Sequence, residues 1–361
     1  MLVVQAASRQ LRAALKTGVF VLKVLPMLPS RPLNYITPTP VVERLEYSTS
    51  TGKAEGDVYR PAGPGSHPGI VVCLGVVPFG VEHPQVPRLG EALARAGFAA
   101  LLYWSPAMRD FRLDPEDIEG IALAYDRLVE QPYVDASRSG LMGTCVGGSF
   151  ALMAAAHALI RDRVAFVAAF APYGSLLSLA RDIASSSCMR SDEREPWQVD
   201  PLTRKVFVHS VTARLDAPEA QALWSAFEAK RDESPLDGLS VDGTAVHALL
   251  AAADVERAEL ALKRLPQEVQ DGLTDLSPVS YLKDLRAPLI AISHDRDDSV
   301  IPVGESRLLR SALNGRAGVY YTEFAMFQHA DPTKRKLSPV RLLWQLSKFY
   351  LWLHAVFRQA Q

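Results

Sequence analysis

Hydrophobic positions along this chain follow two spacings. Apolar runs of strand length, closed by glycine or by polar turn residues, occur at 69–74, 288–293 and 319–324, and residues 138–142 read as the end of another. Such runs predict buried strands. Helical spacing predicts a helix over 150–156, directly after the 138–142 strand, and helical pieces over 218–231 and 245–265. Alternation of strands and helices predicts an α/β class, a mainly parallel sheet with helices on both faces. The two ends of the chain are amphipathic. Val4, Ala7, Leu11, Leu15, Val19, Leu22 and Leu25 recur at three- and four-residue steps, and Leu342, Leu343, Leu346, Phe349, Tyr350, Leu353 and Phe357 recur near the other end, among Trp344 and Trp352.

The junction between the 138–142 strand and the helix after it is Gly143-Thr144-Cys145-Val146-Gly147-Gly148. A sharp strand-to-helix turn with flanking glycines is the context of a nucleophile elbow, where Cβ atoms on the neighbours would obstruct the close approach of the chain. The residue presented is Cys145. The unpaired amides and the positive helix end stabilise a negatively charged sulfur there. Its other role would be that of a small buried hydrophobe.

In such an arrangement an acid and then a histidine follow the nucleophile along the chain. The strand at 288–293 leads into His294-Asp295-Arg296-Asp297-Asp298-Ser299-Val300-Ile301-Pro302, an acidic turn before a helix. Asp298 is the candidate for the orienting carboxylate; Asp297 and Asp295 are rivals, and turn aspartates also cap backbone donors. His329 lies just past the 319–324 strand and is the candidate base, because imidazole changes charge near neutral pH. His294 competes in position and is read as a structural residue at a strand end. The oxyanion hole needs two backbone donors. Val146 would supply one, and Val76 or Val77, after the 69–74 strand, the other. Phe79, His83, Tyr103, Trp104 and Met108, all expected on loops after strands, are candidates for the substrate pocket.

These residues resemble the dienelactone hydrolase family of the α/β-hydrolase superfamily. The likeness rests on the Cys145 elbow, on Phe79-Gly80-Val81, on Leu93-Ala94-Arg95-Ala96-Gly97-Phe98-Ala99 and on the order Cys145, Asp298, His329. It covers roughly 58–175 and 276–349. The resemblance implies an α/β-hydrolase fold, a Cys-His-Asp triad and hydrolysis of esters or lactones with neither metal nor organic cofactor. Val76 and Val77 stand where that family carries a glutamate. The segment from about 176 to 275 is additional, and an insertion of that size is expected to form a helical cap. The domains expected are therefore a basic amphipathic segment (1–42), a hydrolase core (43–175 and 276–361) and the cap (176–275). The elbow is also similar to that of polyhydroxyalkanoate synthases, which would make the protein an acyltransferase. A third reading is a non-catalytic hydrolase-fold protein at a membrane surface.

With 361 residues, 48% hydrophobic and 22% charged, the composition is that of a globular protein with a substantial core. Three cysteines form no spaced framework, which points to a reducing, cytoplasmic setting. Neither a metal-ligand pattern nor a phosphate-binding glycine loop is present, and the partners expected are small ester, lactone or acyl thioester substrates rather than nucleic acid. The net charge of −1 hides an asymmetry. Residues 1–42 hold Arg9, Arg12, Lys16, Lys23 and Arg31, residues 332–361 hold Lys334, Arg335, Lys336, Arg341, Lys348 and Arg358, and neither end contains an acid. No apolar run reaches the ~18–20 residues of a membrane span. The basic amphipathic ends therefore lead to two expectations. One is peripheral contact with an anionic membrane, at its inner face. The other is packing: of the last helix on the sheet, and of the first on the cap or on another subunit. The oligomeric state is not encoded in any feature of the sequence.

Overall fold

The computed structural model describes residues 2–25, 35, 37–49, 52–77, 80, 83–190, 193–228, 236–327 and 338–361, without the side chains of 2–6. Helix α1 (Leu2–Val24) precedes an antiparallel pair, β1 (Val41–Thr49) and β2 (Gly52–Arg60). Then follow β3 (His67–Cys73), α2 (Gln85–Arg95), β4 (Ala99–Tyr103), α3 (Pro106–Arg109), α4 (Glu116–Val129), β5 (Val134–Thr144), α5 (Val146–Ala155) and β6 (Phe166–Phe170). Next come α6 (Leu176–Ser185), a hairpin of β7 (Ser187–Met189) and β8 (Arg194–Pro196), α7 (Pro201–Val211), α8 (Ala217–Phe227), α9 (Val241–Leu250), α10 (Val255–Arg264) and α11 (Gln267–Asp275). The chain closes with β9 (Leu289–Asp295), α12 (Val303–Ala312), β10 (Val319–Phe324) and α13 (Pro339–Gln359).

Eight strands form one sheet in the order β1-β2-β4-β3-β5-β6-β9-β10, and every pairing from β4 to β10 is parallel. The mainly parallel sheet read from the alternation is thus the one the molecule has. Strand pleating sends successive side chains to opposite faces. In β3, Val71 and Cys73 join a core layer with α4, α5 and α6–α11, whereas Ile70 and Val72 join a second layer with α1, α2 and α13. Full burial of α5, which is apolar all round its circumference, places it at the centre of the first layer. Each large side chain there, such as Phe150 or Leu152, contributes roughly 1.5–3 kcal/mol by leaving water.

The strand expected at 319–324 coincides with β10, while β5 begins four residues before the run that announced its end. The helical piece expected over 245–265 is two helices. Asp254 accepts a hydrogen bond from the Arg257 amide at 2.8 Å and so starts α10 afresh, overriding the helix propensity of the alanines before it. The last part of the piece expected over 218–231 lies outside the described residues.

The N-terminal helix packs on α2 and α13 at one face of the sheet, not on α6–α11. Phe20 meets Phe357 of α13 with ring centroids 5.6 Å apart, and the Tyr350 hydroxyl donates to the Ala14 carbonyl at 2.9 Å. Arg88 of α2 donates to the Lys23 and Leu25 carbonyls, a cation at a helix C-terminus, and Lys23 pairs with Glu91 at 3.1 Å. No described helix is long and apolar enough to cross a membrane.

Candidate active site

Cys145 sits at the turn from β5 into α5 with φ 56° and ψ −135°, a conformation that side chains other than glycine rarely adopt. The surroundings enforce it. The Cys145 amide donates to the Phe170 carbonyl at 2.8 Å, and the Cys145 carbonyl accepts from Gly148 at 2.9 Å. A Cβ on Gly143 would strike the Gly147 carbonyl, and one on Gly147 would strike the Cys73 carbonyl, so β3, β5 and α5 meet at van der Waals limits because these residues are glycine. Holding a residue there stores about 1–3 kcal/mol of strain, a cost that structures tolerate chiefly at functional sites. The thiol remains half-buried, whereas Cys73 and Cys188 are buried. Burial pushes the Cys73 thiol far up and that of Cys188 up as well.

The loop after β3 runs along this elbow. Thr144 Oγ1 donates to the Leu74 carbonyl at 3.1 Å, and Gly75, at φ +76°, faces the Thr144 carbonyl and the Gly147 amide too closely for a side chain to fit easily. Val76 lines the same cavity as Cys145 and Val146. Val146 is the first residue of α5, and its N–H belongs to a helix turn that has no intrahelical acceptor. Val77 accepts a hydrogen bond from Gly80 through its carbonyl at 3.2 Å.

Asp298 is buried in the turn after β9. Its Oδ1 accepts from the Val300 and Ile301 amides at 2.7 and 3.0 Å, and its Oδ2 lies 3.6 Å from Nε2 of His294. His294 is also fully buried, with Nε2 2.8 Å from the Ile301 carbonyl. The rival Asp295 is engaged otherwise: its Oδ2 accepts from the Met326 amide at 2.7 Å and from that of Phe327, tying the end of β9 to the chain beyond β10. Asp297 donates its amide to Asp295 Oδ1 at 2.9 Å. His329 lies outside the described residues, as do Phe79 and Val81.

An apolar cavity opens beside Cys145. Its walls are Val76 and Val146 from the elbow region, Val300 and Ile301 beside Asp298, and, for the most part, side chains of α6 and α7 such as Leu179, Ile183, Leu202 and Val206. Two polar side chains reach it, and both are satisfied elsewhere. Thr203 donates to the Val300 carbonyl at 2.9 Å, and Ser210 donates to Val206 and accepts from Leu113. The segment between β8 and α7 also braces the acid turn, since the Trp197 indole donates to the Ser299 carbonyl at 3.0 Å. Glu305 anchors the start of α6 from below, accepting from the amides of Gly174 and Ser175 and from the Ser178 hydroxyl.

The remaining described pocket candidates are not among the residues that line this cavity. Tyr103 is the last residue of β4, not a loop residue, and its hydroxyl donates to Asp117 at 2.9 Å in the core. Burial raises the Asp117 carboxyl to about 6. Met108 packs in the same core layer, Trp104 packs against the opposite layer with Arg109 5.9 Å above its ring, and His83 Nδ1 accepts from the Gln85 amide. The pleat sends Tyr103 toward α4, and the walls of this cavity lie mostly on α6 and α7, whose apolar spacing is indistinguishable in sequence from that of any core helix. Among the described residues no group of three His, Cys, Asp or Glu side chains could hold a metal ion.

No known sequence family matches the chain. Nor does any curated protein match it by sequence. Solved structures do. The uncomplexed acylaminoacyl peptidase of Pyrococcus horikoshii gives a TM-score of 0.54 at 14% identity, covering 90% of this chain and 43% of its own. A 2,6-dihydroxy-pseudo-oxynicotine hydrolase gives 0.51 at 16% identity, covering 88% of this chain and 68% of its own. The α/β hydrolase GrgF from Penicillium sp. sh18 gives 0.50 at 16% identity, with 87% and 99% covered. The chain spans less than half the length of the acylaminoacyl peptidases it matches. At these identities the likeness establishes the fold, which is that of the α/β-hydrolases.

Proposed function

We propose that this α/β-hydrolase-fold protein is an acyl hydrolase that uses Cys145 to cleave carboxylic esters or lactones with an apolar acyl part. The observation that carries the reading is a half-buried thiol in a strained elbow at the wall of an apolar cavity. In the proposed reaction His329 removes the thiol proton, sulfur attacks the carbonyl carbon, and the amides of Val146 and of Val76 or Val77 donate to the oxyanion. Collapse breaks the bond to the alcohol oxygen, which takes the proton from His329, and leaves a thioester. His329 then deprotonates water, which attacks the thioester and releases the acid and the thiol. Asp298 is assigned the orienting role, since its position after β9 and its burial suit a carboxylate that holds an imidazole. The α6–α11 insertion is assigned the role of a cap, because α6 and α7 supply most of the cavity wall.

The test is turnover of p-nitrophenyl esters from acetate to decanoate by the full chain and by Cys145→Ala. The variant should lose about a thousandfold or more in kcat/KM while folding normally. Retained turnover would remove Cys145 from the mechanism.

A further inference from the structure

Helices α1 and α13 lie side by side on one face of the sheet and contribute their inner faces to a single core layer: Ala13, Phe20 and Val21 from one, Phe349, Trp352, Leu353, Val356 and Phe357 from the other. They run in the same direction, with Ala14 beside Tyr350 and Phe20 beside Phe357. Their opposite faces therefore look outward together. On α1 that outer stripe carries Leu11, Leu15 and Leu22, which are 62%, 63% and 36% exposed. On α13 it carries Val340, Leu343, Trp344 and Leu351, between 52% and 79% exposed. The first set recurs at four- and seven-residue steps and the second includes three-, four- and seven-residue steps, the spacing of one helix face. A soluble surface scatters its exposed apolar side chains singly, so two neighbouring helices with aligned apolar stripes mark a contact surface.

Charge selects the occupant. Arg9, Arg12, Arg341 and Arg358 are exposed on the same two helices, and neither residues 1–42 nor 332–361 contain an acid. Two carboxylates on elements packed against these helices are engaged: Glu91 pairs with Lys23, and Glu323 pairs with Arg296 and Arg307. Lys348 lies over the Trp344 ring at 5.8 Å, an aromatic and a cation together at the edge of the stripe. A second copy of the chain would bring like charges face to face, which costs several kcal/mol per close pair in a docked interface. A leaflet of anionic lipid accepts both features at once, with apolar side chains entering the headgroup boundary and arginines meeting phosphates.

We infer that the outer faces of α1 and α13 form one docking surface for an anionic lipid bilayer, on which the protein lies peripherally. The surface is independent of the hydrolase assignment and needs no catalytic residue.

The experiment is co-sedimentation of the full chain with vesicles of phosphatidylcholine alone and of phosphatidylcholine mixed with phosphatidylglycerol. Binding to the mixed vesicles, weakened by salt, is expected. Two double variants at exposed positions, Leu15→Glu with Leu351→Glu and Arg12→Gln with Arg341→Gln, should each lower partitioning by about tenfold or more. Circular dichroism reports whether each variant is folded. Equal behaviour on neutral and anionic vesicles, or binding that neither variant alters, overturns the inference. So does a dimer, seen by light scattering, that the leucine variant dissociates while no vesicle binding occurs, since the surface would then belong to a second copy.

Discussion

The elbow at the end of β5 and the helices that wall the cavity above it border the same space, and they are specified in opposite ways. The elbow is fixed by side chains that are missing: Gly143, Gly147 and Gly75 let three backbone segments touch, and the touching holds Cys145 at positive φ. The wall is fixed by side-chain bulk, through Leu179, Ile183, Leu202, Val206 and their neighbours, with each polar group already bonded elsewhere. Backbone contact admits almost no substitution, whereas an apolar wall can be re-cut one side chain at a time. In a protein of this design the elbow is held invariantly while the shape of the cavity beside it is adjustable.

The largest effect that would break this contrast is expected from Gly147→Ala. Its new Cβ meets backbone, which cannot swing aside, so unfolding should shift by more than about 4 kcal/mol in a denaturant titration. A midpoint near that of the parent would mean that β3 and α5 are free to separate and that the elbow is not rigid. A smaller effect is expected from Val206→Trp on α7. The indole would fill cavity space, leaving acetate turnover near the parent rate and lowering kcat/KM for decanoate by about tenfold or more. Equal loss for all chain lengths would show that the acyl group does not lie along α7. The smallest effect is expected from Cys145→Gly. Releasing about 1–3 kcal/mol of backbone strain outweighs the extra freedom of glycine in the unfolded chain, about 0.5–1 kcal/mol, so Tm should rise by about 1–2 °C as activity disappears. A lowered Tm would locate the strain elsewhere.

Much of the fold was legible because burial leaves a periodic trace. The run at 319–324 is β10 to the residue, and the glycines of 143–148 mark a sharp turn into a fully buried helix. The start of β5 was not legible, because Asp135, Ala136, Ser137 and Arg138 carry no apolar signal, and Asp135 is occupied in bonding Ser137 and Arg138. The division of 245–265 into α9 and α10 was hidden because a single capping aspartate outweighed a run of good helix formers. Of the proposed site, Cys145 and Val146 are read from the local motif, and Asp298 from its turn. Tyr103, Trp104, Met108 and His83 were named as pocket residues by their nearness to strand ends, and the structure gives each of them other partners.

The sequence by itself determined the local chemistry: which residues alternate, where glycine permits a turn, which thiol stands at a helix start, and where basic charge gathers without acid. These are properties of neighbours along the chain, and short-range geometry is enough to read them. Tertiary structure alone decided which helices face Cys145, that α1 lies on α13 and not on the insertion, and that Leu11, Leu15, Leu343 and Trp344 stay outside while Phe20 and Phe357 go in. An amphipathic stripe announces that a helix has an apolar face but not which surface will cover it. That choice depends on packing between segments more than three hundred residues apart, as in the bond from Tyr350 to Ala14.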